Sequence, residues 1–247
     1  MTGDEFAELL RDCPTLYHMA ERGSWPAIQR EGLLSASALL DLYEVRGAAR
    51  EAIEAERRPE SVELEHAVAG RAVIRDQKPM DDAGLRRCLQ GGMSPQDWYR
   101  LLNGKVFFWL GRARLLRLLE AKPYRAKEHD VLEIDGALLA ACHGPAVTLC
   151  AINSGATKPF PAARGPGTFL PIADYPYSEW RRKRPRGERV VEFAVERGVP
   201  DVGRFVRRVT AMRGSEALGV LYDGQRGPTA GAAMATSGLG RAGPVRG

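Results

Sequence analysis

Apolar and polar residues alternate along this chain in stretches that change period every ten to fifteen positions. Phe6, Leu9 and Leu10 recur at helical spacing, which predicts an amphipathic helix at the start. Leu16-Tyr17-His18-Met19 reads as a short strand. Ser24 stands where an N-cap belongs, and the WPAIQREGLL that follows reads as one helix stopped by Gly32. Residues 35–58 are rich in Ala, Leu, Glu and Arg and favour helix. The segment VELEHAVAGRAVIRD alternates into short strands or an ordered loop. Ser94 caps a helix with Pro95 at its first position, and Asn103-Gly104 ends it. KVFFWL then reads as a buried strand, ARLLRLLEAK as a helix, HDVLEIDGALLAA as a strand and helix, and VTLC as a strand. RVVEFAV is a strong strand. VPDVGRFVRRVTAM starts as a helix and continues as a strand.

Residues 155–189 mix Pro, Gly, aromatic and Arg residues without a period. Structureless connections longer than about 12–15 residues are uncommon unless functional or disordered. Phe160, Phe169, Tyr175, Tyr177 and Trp180 argue against plain disorder here. From Gly224 the composition collapses to small residues and Arg, so 224–247 reads as a disordered tail behind one domain over 1–223. Strands alternating with helices through long irregular connections predict an α+β fold.

Composition narrows the classes. The chain has 247 residues, 44% of them apolar and 27% charged, values of a globular protein. No apolar run is long enough to span a membrane, and the acidic start MTGDEFAELLRDCP does not read as a secretory signal. Cys13, Cys88, Cys142 and Cys150 lie far apart with no metal spacing, so free cytoplasmic thiols and no metal are expected. The net charge of +5 is uneven: 181–189, RRKRPRGER, carries six basic residues. Phosphate-loop, dinucleotide-fingerprint, serine-elbow and HExxH patterns are all missing.

Four places carry candidate chemistry. His18 follows a strand and precedes a helix, where an imidazole can hold a ribose or phosphate; a lone histidine is more often structural. Glu192 sits in an apolar strand, so its carboxylate must be paired, raised in pKa or used. A salt bridge and a catalytic role weigh evenly there. Arg75 ends the apolar Ala72-Val73-Ile74 and reads as an ion-paired turn or a phosphate contact. Arg112 and Arg114 follow VFFWLG, where a strand emptying into an arginine suits a diphosphate clamp. The basic, aromatic 155–189 segment suits base stacking and phosphate neutralisation, or simply packs on its own domain.

Three stretches in order resemble the ADP-ribosyltransferase superfamily, specifically its DarT-type branch, which modifies bases in single-stranded DNA. They are Leu16-Tyr17-His18-Met19 through Leu34, Val106-Phe107-Phe108-Trp109 with Arg112, and Val191-Glu192-Phe193-Ala194-Val195. The stretches at 16–21, 74–80, 98–109 and 152–157 also resemble an uncharacterised bacterial family. The resemblance to the transferases implies an α+β fold with a central split mixed β-sheet flanked by helices. It implies NAD as co-substrate, Glu192 and Arg75 as catalytic residues, and Tyr17, His18, Met19, Gly32, Leu33, Phe108 and Arg112 around the cofactor. Asn153 just before the long segment and Arg164, Thr168, Tyr175, Trp180, Arg181, Arg182 and Arg184 within it would then hold the acceptor. The implied activity is mono-ADP-ribosylation of a nucleic acid, DNA favoured over RNA, with a toxin role and an antitoxin-like partner in view. Transfer to protein or a small molecule, NAD hydrolysis, and a non-catalytic nucleic-acid-binding domain are the alternatives.

Overall fold

The computed structural model describes residues 1–224; the Gly- and Ala-rich tail expected over 224–247 lies outside the described residues beyond Gly224. The helices are α1 (Gly3–Asp12), α2 (Trp25–Glu31), α3 (Ala36–Leu42), α4 (Gly47–Glu54), α5 (Asp82–Cys88), α6 (Pro95–Asn103), α7 (Arg112–Leu119), α8 (Gly136–His143) and α9 (Tyr177–Lys183). The strands are β1 (Thr15–Glu21), β2 (Leu33–Leu34), β3 (Val62–His66), β4 (Gly70–Ile74), β5 (Lys105–Trp109), β6 (Glu128–Asp135), β7 (Val147–Cys150), β8 (Phe169–Pro171), β9 (Glu192–Glu196), β10 (Gly198–Val199), β11 (Val206–Arg213) and β12 (Glu216–Asp223). Local chemistry sets the helix starts. Thr2 with Glu5 and Ser94 with Asp97 form capping boxes, and Ser35, Asp81 and Asp135 each accept a backbone N–H. Ser24 does not: its side chain caps nothing, and Pro26 near the helix start fixes the backbone instead.

The fold is α+β, as the alternation predicts. Its main sheet has eight strands in the order β12-β11-β6-β1-β5-β9-β7-β8. The sheet is not mixed as expected: every pairing in it is antiparallel. β1 and β5, though joined through helices, lie side by side, whereas the connections from β5 to β6, β6 to β7, β8 to β9 and β9 to β11 each carry the chain past at least one strand of the sheet. Small pairs β2–β10 and β3–β4 complete the structure. The long 155–189 segment is less irregular than its composition, since β8, a 3-10 turn (Ile172–Asp174) and α9 lie inside it.

One face of the main sheet rests on a continuous core containing Leu16, Ala20, Phe108, Leu132, Leu149, Phe193 and Val195. The other face is divided. Met19, Leu115, Leu119, Tyr124, Val131 and Met212 fill one end, and Met80, Leu85, Trp98, Tyr99, Cys150, Phe169 and Ala194 fill the other. Between them β1 and β5 part. They share one register pair, Tyr17 with Trp109, whereas β1 and β6 pair along their whole length. The α3–α4 and β3–β4 segment, packed around Leu40, Tyr43, Leu64 and Ile74, roofs the gap.

Gly32 shows how tightly that gap is built. It takes φ +88°, and a Cβ there would lie 2.5 Å from the Pro200 Cα. Neither a side chain nor the backbone beside it can yield, so Gly32→Ala is expected to destabilise the fold by about 3 kcal/mol. Gly92 also has a positive φ, +74°, but open space around its Cβ. Gly92→Ala should cost only about 1 kcal/mol. Urea unfolding of both variants checks the difference; equal losses would remove the close approach as the cause.

Candidate active site

The parted strands open a cleft of about 360 Å³, within the range of small-molecule sites. His18, Met19, Gly32, Leu33, Arg75 and Glu192 all line it. Two side chains satisfy carbonyls that the break in the ladder leaves open. The His18 Nδ1–H donates to the Phe107 carbonyl at 2.9 Å, and the Arg75 Nη1 donates to the Met19 carbonyl at 3.1 Å. A carbonyl accepts only, so Nδ1 carries the proton and Nε2 is left as the acceptor. Burial drives the His18 pKa down to about 4, with the Arg75 cation adding to it against the pull of the Phe107 carbonyl. The imidazole is therefore neutral at physiological pH.

Arg75 is held from several sides. Its guanidinium lies 5.0 Å from the Tyr124 ring centre and its Nε is 3.9 Å from a Glu21 carboxylate oxygen. Burial lowers its pKa, and Nε has no hydrogen-bond partner. Tyr124 in turn donates to Asp76 at 2.8 Å.

Glu192 is the first residue of β9, opposite Trp109 on one side and Cys150 on the other. Register therefore puts it two strands from Tyr17, roughly 10 Å across the sheet. Only 4% of it is exposed. Oε1 accepts the Ser154 N–H at 3.0 Å, while Oε2 is buried with no hydrogen-bond partner. Burial raises its pKa to about 7, against the lowering pull of Ser154, the Cys150 thiol and the Arg164 cation. No carboxylate elsewhere in the cleft is held in this way: Glu21, Glu31 and Asp76 are only partly buried.

The loop after β7 supplies the Ser154 N–H, and Arg164 sets that loop. Its guanidinium is 2% exposed and donates to the carbonyls of Ser154 (2.8 Å), Ala156 (2.8 Å) and Ala162 (3.0 Å). Trp98 lies against it at 5.5 Å. Arg164 is thus a positioning residue behind Glu192 and not an acceptor contact, contrary to expectation.

Other expected residues move as well. Phe108 points into the continuous core, and its strand neighbour Phe107 faces the cleft instead. Tyr17 packs with the Leu115 and Tyr124 cluster beyond the cleft. Arg112 opens α7 exposed and away from the cleft, so the expected diphosphate clamp is not there. Tyr175 is core, donating to the Arg189 carbonyl at 2.6 Å. Thr168 accepts the Gly165 N–H at 2.8 Å in its own turn. Arg181 pairs with Glu8 of α1. Trp180 packs on the core with Arg184 over its ring at 4.1 Å, and Arg182 is exposed. Asn153 alone of the expected acceptor set lines the cleft.

A model of a family of unknown function (DUF7002) matches residues 14–206. The chain belongs to this family. The matched span runs from the start of β1 to the start of β11 and includes every residue that lines the cleft. No curated protein and no solved structure matches the chain. Among the described residues of this DUF7002 member, no group of His, Cys, Asp and Glu is placed to hold a metal. The four cysteines are free thiols, and no described helix is long and apolar enough to cross a membrane.

Sequence reasoning passed over Ser154, Phe107 and Arg58. Arg58 is buried in the cleft wall and its nitrogens donate to Arg75 O (3.2 Å), Ile53 O and Asn103 Oδ1 (2.9 Å). Ser154 had a signal, the polar INSG directly after an apolar strand. Arg58, within an acidic helical stretch, had none.

Proposed function

We propose that the protein is an NAD-dependent mono-ADP-ribosyltransferase, with an ADP-ribosyltransferase-like split sheet, acting on single-stranded nucleic acid. The observation that carries this reading is the Glu192 Oε2, a buried carboxylate oxygen without a partner in a cleft shared with His18 and Arg75. An orphaned carboxylate costs stability unless a ligand group satisfies it. A ribose hydroxyl is a donor of the right kind. Breaking the nicotinamide–ribose bond builds positive charge on the sugar, and a preorganised anion stabilises that charge.

The cleft wall also fits the rest of the dinucleotide. The neutral His18 offers Nε2 to a second ribose hydroxyl. Arg58 is consumed by its three oxygen acceptors, Arg71 pairs with Glu63, and Lys105 is tied to Glu196. Arg75 Nε makes no hydrogen bond and has only the distant Glu21 carboxylate at 3.9 Å, so the diphosphate falls to Arg75 in place of Arg112. Met19, Gly32, Leu33 and Phe107 give the cleft its apolar lining.

The experiment incubates purified protein with NAD labelled in the adenylate, together with single-stranded DNA, with RNA, or without acceptor. Nicotinamide release that rises with the oligonucleotide, and label carried on it, is the expected result. Equal release without acceptor would make the protein an NAD glycohydrolase, and label on added protein would move the acceptor class. No release under any condition would end the reading and leave a binding domain.

A further inference from the structure

A second, more open cavity adjoins the cleft. Asn153 lines both, and Val191, next to Glu192, lines the second. Arg114, Arg184 and Glu188 supply its charges. Arg114 and Arg117 stand three residues apart on one face of α7, and both donate to the Glu188 carboxylate. Arg184 reaches in from the end of α9, with its Nη1 on the Ala151 carbonyl at 2.7 Å. Two guanidinium groups thus pair with the Glu188 carboxylate, and Arg184, bonded to the Ala151 and Glu188 carbonyls, adds a third cation, leaving an excess of positive charge. Arg114 Nε is buried without a partner.

Most of the rest of the basic run is occupied elsewhere: Lys183 pairs with Glu179, and Arg182 is exposed outside the cavity lining. Arg181 and Arg189 pair with Glu8, and Arg186 with Asp12. The cations gathered at a cavity, and so placed to hold an outside anion, are those of the cluster at the second cavity. Beside it, Phe160 is 90% exposed, two residues from Ala162 in the cavity wall. Cations with an aromatic ring open to solvent match a backbone phosphate next to an unstacked base.

We propose that Arg114, Arg117 and Arg184 form a phosphate subsite for a single-stranded polynucleotide, with Phe160 stacking a neighbouring base and the Glu188 carboxylate holding Arg114 and Arg117 until the phosphate arrives. The role as acceptor subsite rests on the transferase reading; the binding chemistry does not. Glu188 competes with phosphate for the same guanidinium groups, so removing its charge favours binding.

Fluorescence anisotropy with labelled oligo(dT) of about 12 nucleotides, without NAD, tests this. Wild-type affinity should fall steeply with salt. Arg114→Gln and Arg117→Gln should each weaken binding about tenfold and flatten the salt dependence. Phe160→Ala should weaken it by a similar factor. Glu188→Gln should tighten it several-fold. Arg117 is 65% exposed, so its variant reports even if the Arg114 variant unfolds. Unchanged affinity in the Arg117 and Phe160 variants, or weaker binding by Glu188→Gln, would overturn the subsite. Competition by polyglutamate as effective as by oligo(dT) would overturn the nucleic-acid assignment. Oligonucleotide binding with the expected signs but no nicotinamide release would leave the subsite and remove the transferase; acceptor-stimulated release with unaltered binding would do the reverse.

Discussion

Glu192→Gln is expected to lower nicotinamide release by two to three orders of magnitude, roughly the effect of removing one preorganised electrostatic group. The substitution keeps shape and the Ser154 contact but cannot supply charge. The same variant has a second signature that needs no substrate. The Glu192 pKa is raised from 4.5 to about 7 in the folded protein. Its contribution to stability is therefore full below pH 4.5 and is lost as pH rises through about 7. The shift corresponds to about 3 kcal/mol. Glu192→Gln escapes that loss, so its stability relative to wild type should climb by up to this amount between pH 4.5 and pH 8. Urea unfolding across that range measures it. Parallel stability curves would show that Glu192 is not held as described, and undiminished nicotinamide release would take it out of the chemistry.

Arg164→Ala should cost about 3 kcal/mol of stability, because three buried carbonyls lose their donor. Lysine at this position keeps the charge but not the fork, and should recover less than half. The effect reaches Glu192 as well. With the cation gone and the Ser154 N–H no longer fixed, the Glu192 pKa should rise further. Activity that depends on the ionised carboxylate would then need a higher pH. In Arg164→Lys the charge stays, so a positioning role predicts a smaller alkaline move of the pH–rate profile, from the loosened Ser154 N–H alone. A purely structural role would lower stability and leave the profile in place.

Much of the fold is legible in the pattern of residues. The capping boxes at Thr2 and Ser94, the stop at Gly32 and the apolar runs of β5, β6 and β9 lie where local chemistry puts them. β12 escaped because it is an edge strand: most of Glu216–Asp223 is exposed on both faces, so no alternation marks it. Phe107 and Phe108 show a second limit. A strand of continuous apolar residues does not declare which parity faces the cleft. Arg112 against Arg114 is the same ambiguity on a helix. Arg164 and Tyr175 look like acceptor contacts in a basic, aromatic segment, yet their partners are backbone carbonyls. Carbonyls carry no sequence signal, so polar residues buried against them resemble functional ones. His18 and Glu192 were legible because each sits on an apolar strand that has no ordinary use for it.

The single rung between Tyr17 and Trp109, with the His18 side chain on the Phe107 carbonyl beside it, makes the sheet a pair of panels joined over a short hinge. Sliding or tilting one panel against the other alters the gap while each keeps its own ladder intact. A molecule lying across both panels acts as a latch. With His18 and Arg75 on the Phe107 and Met19 carbonyls, those groups are not free for each other's strand, and the seam cannot zip into ordinary sheet.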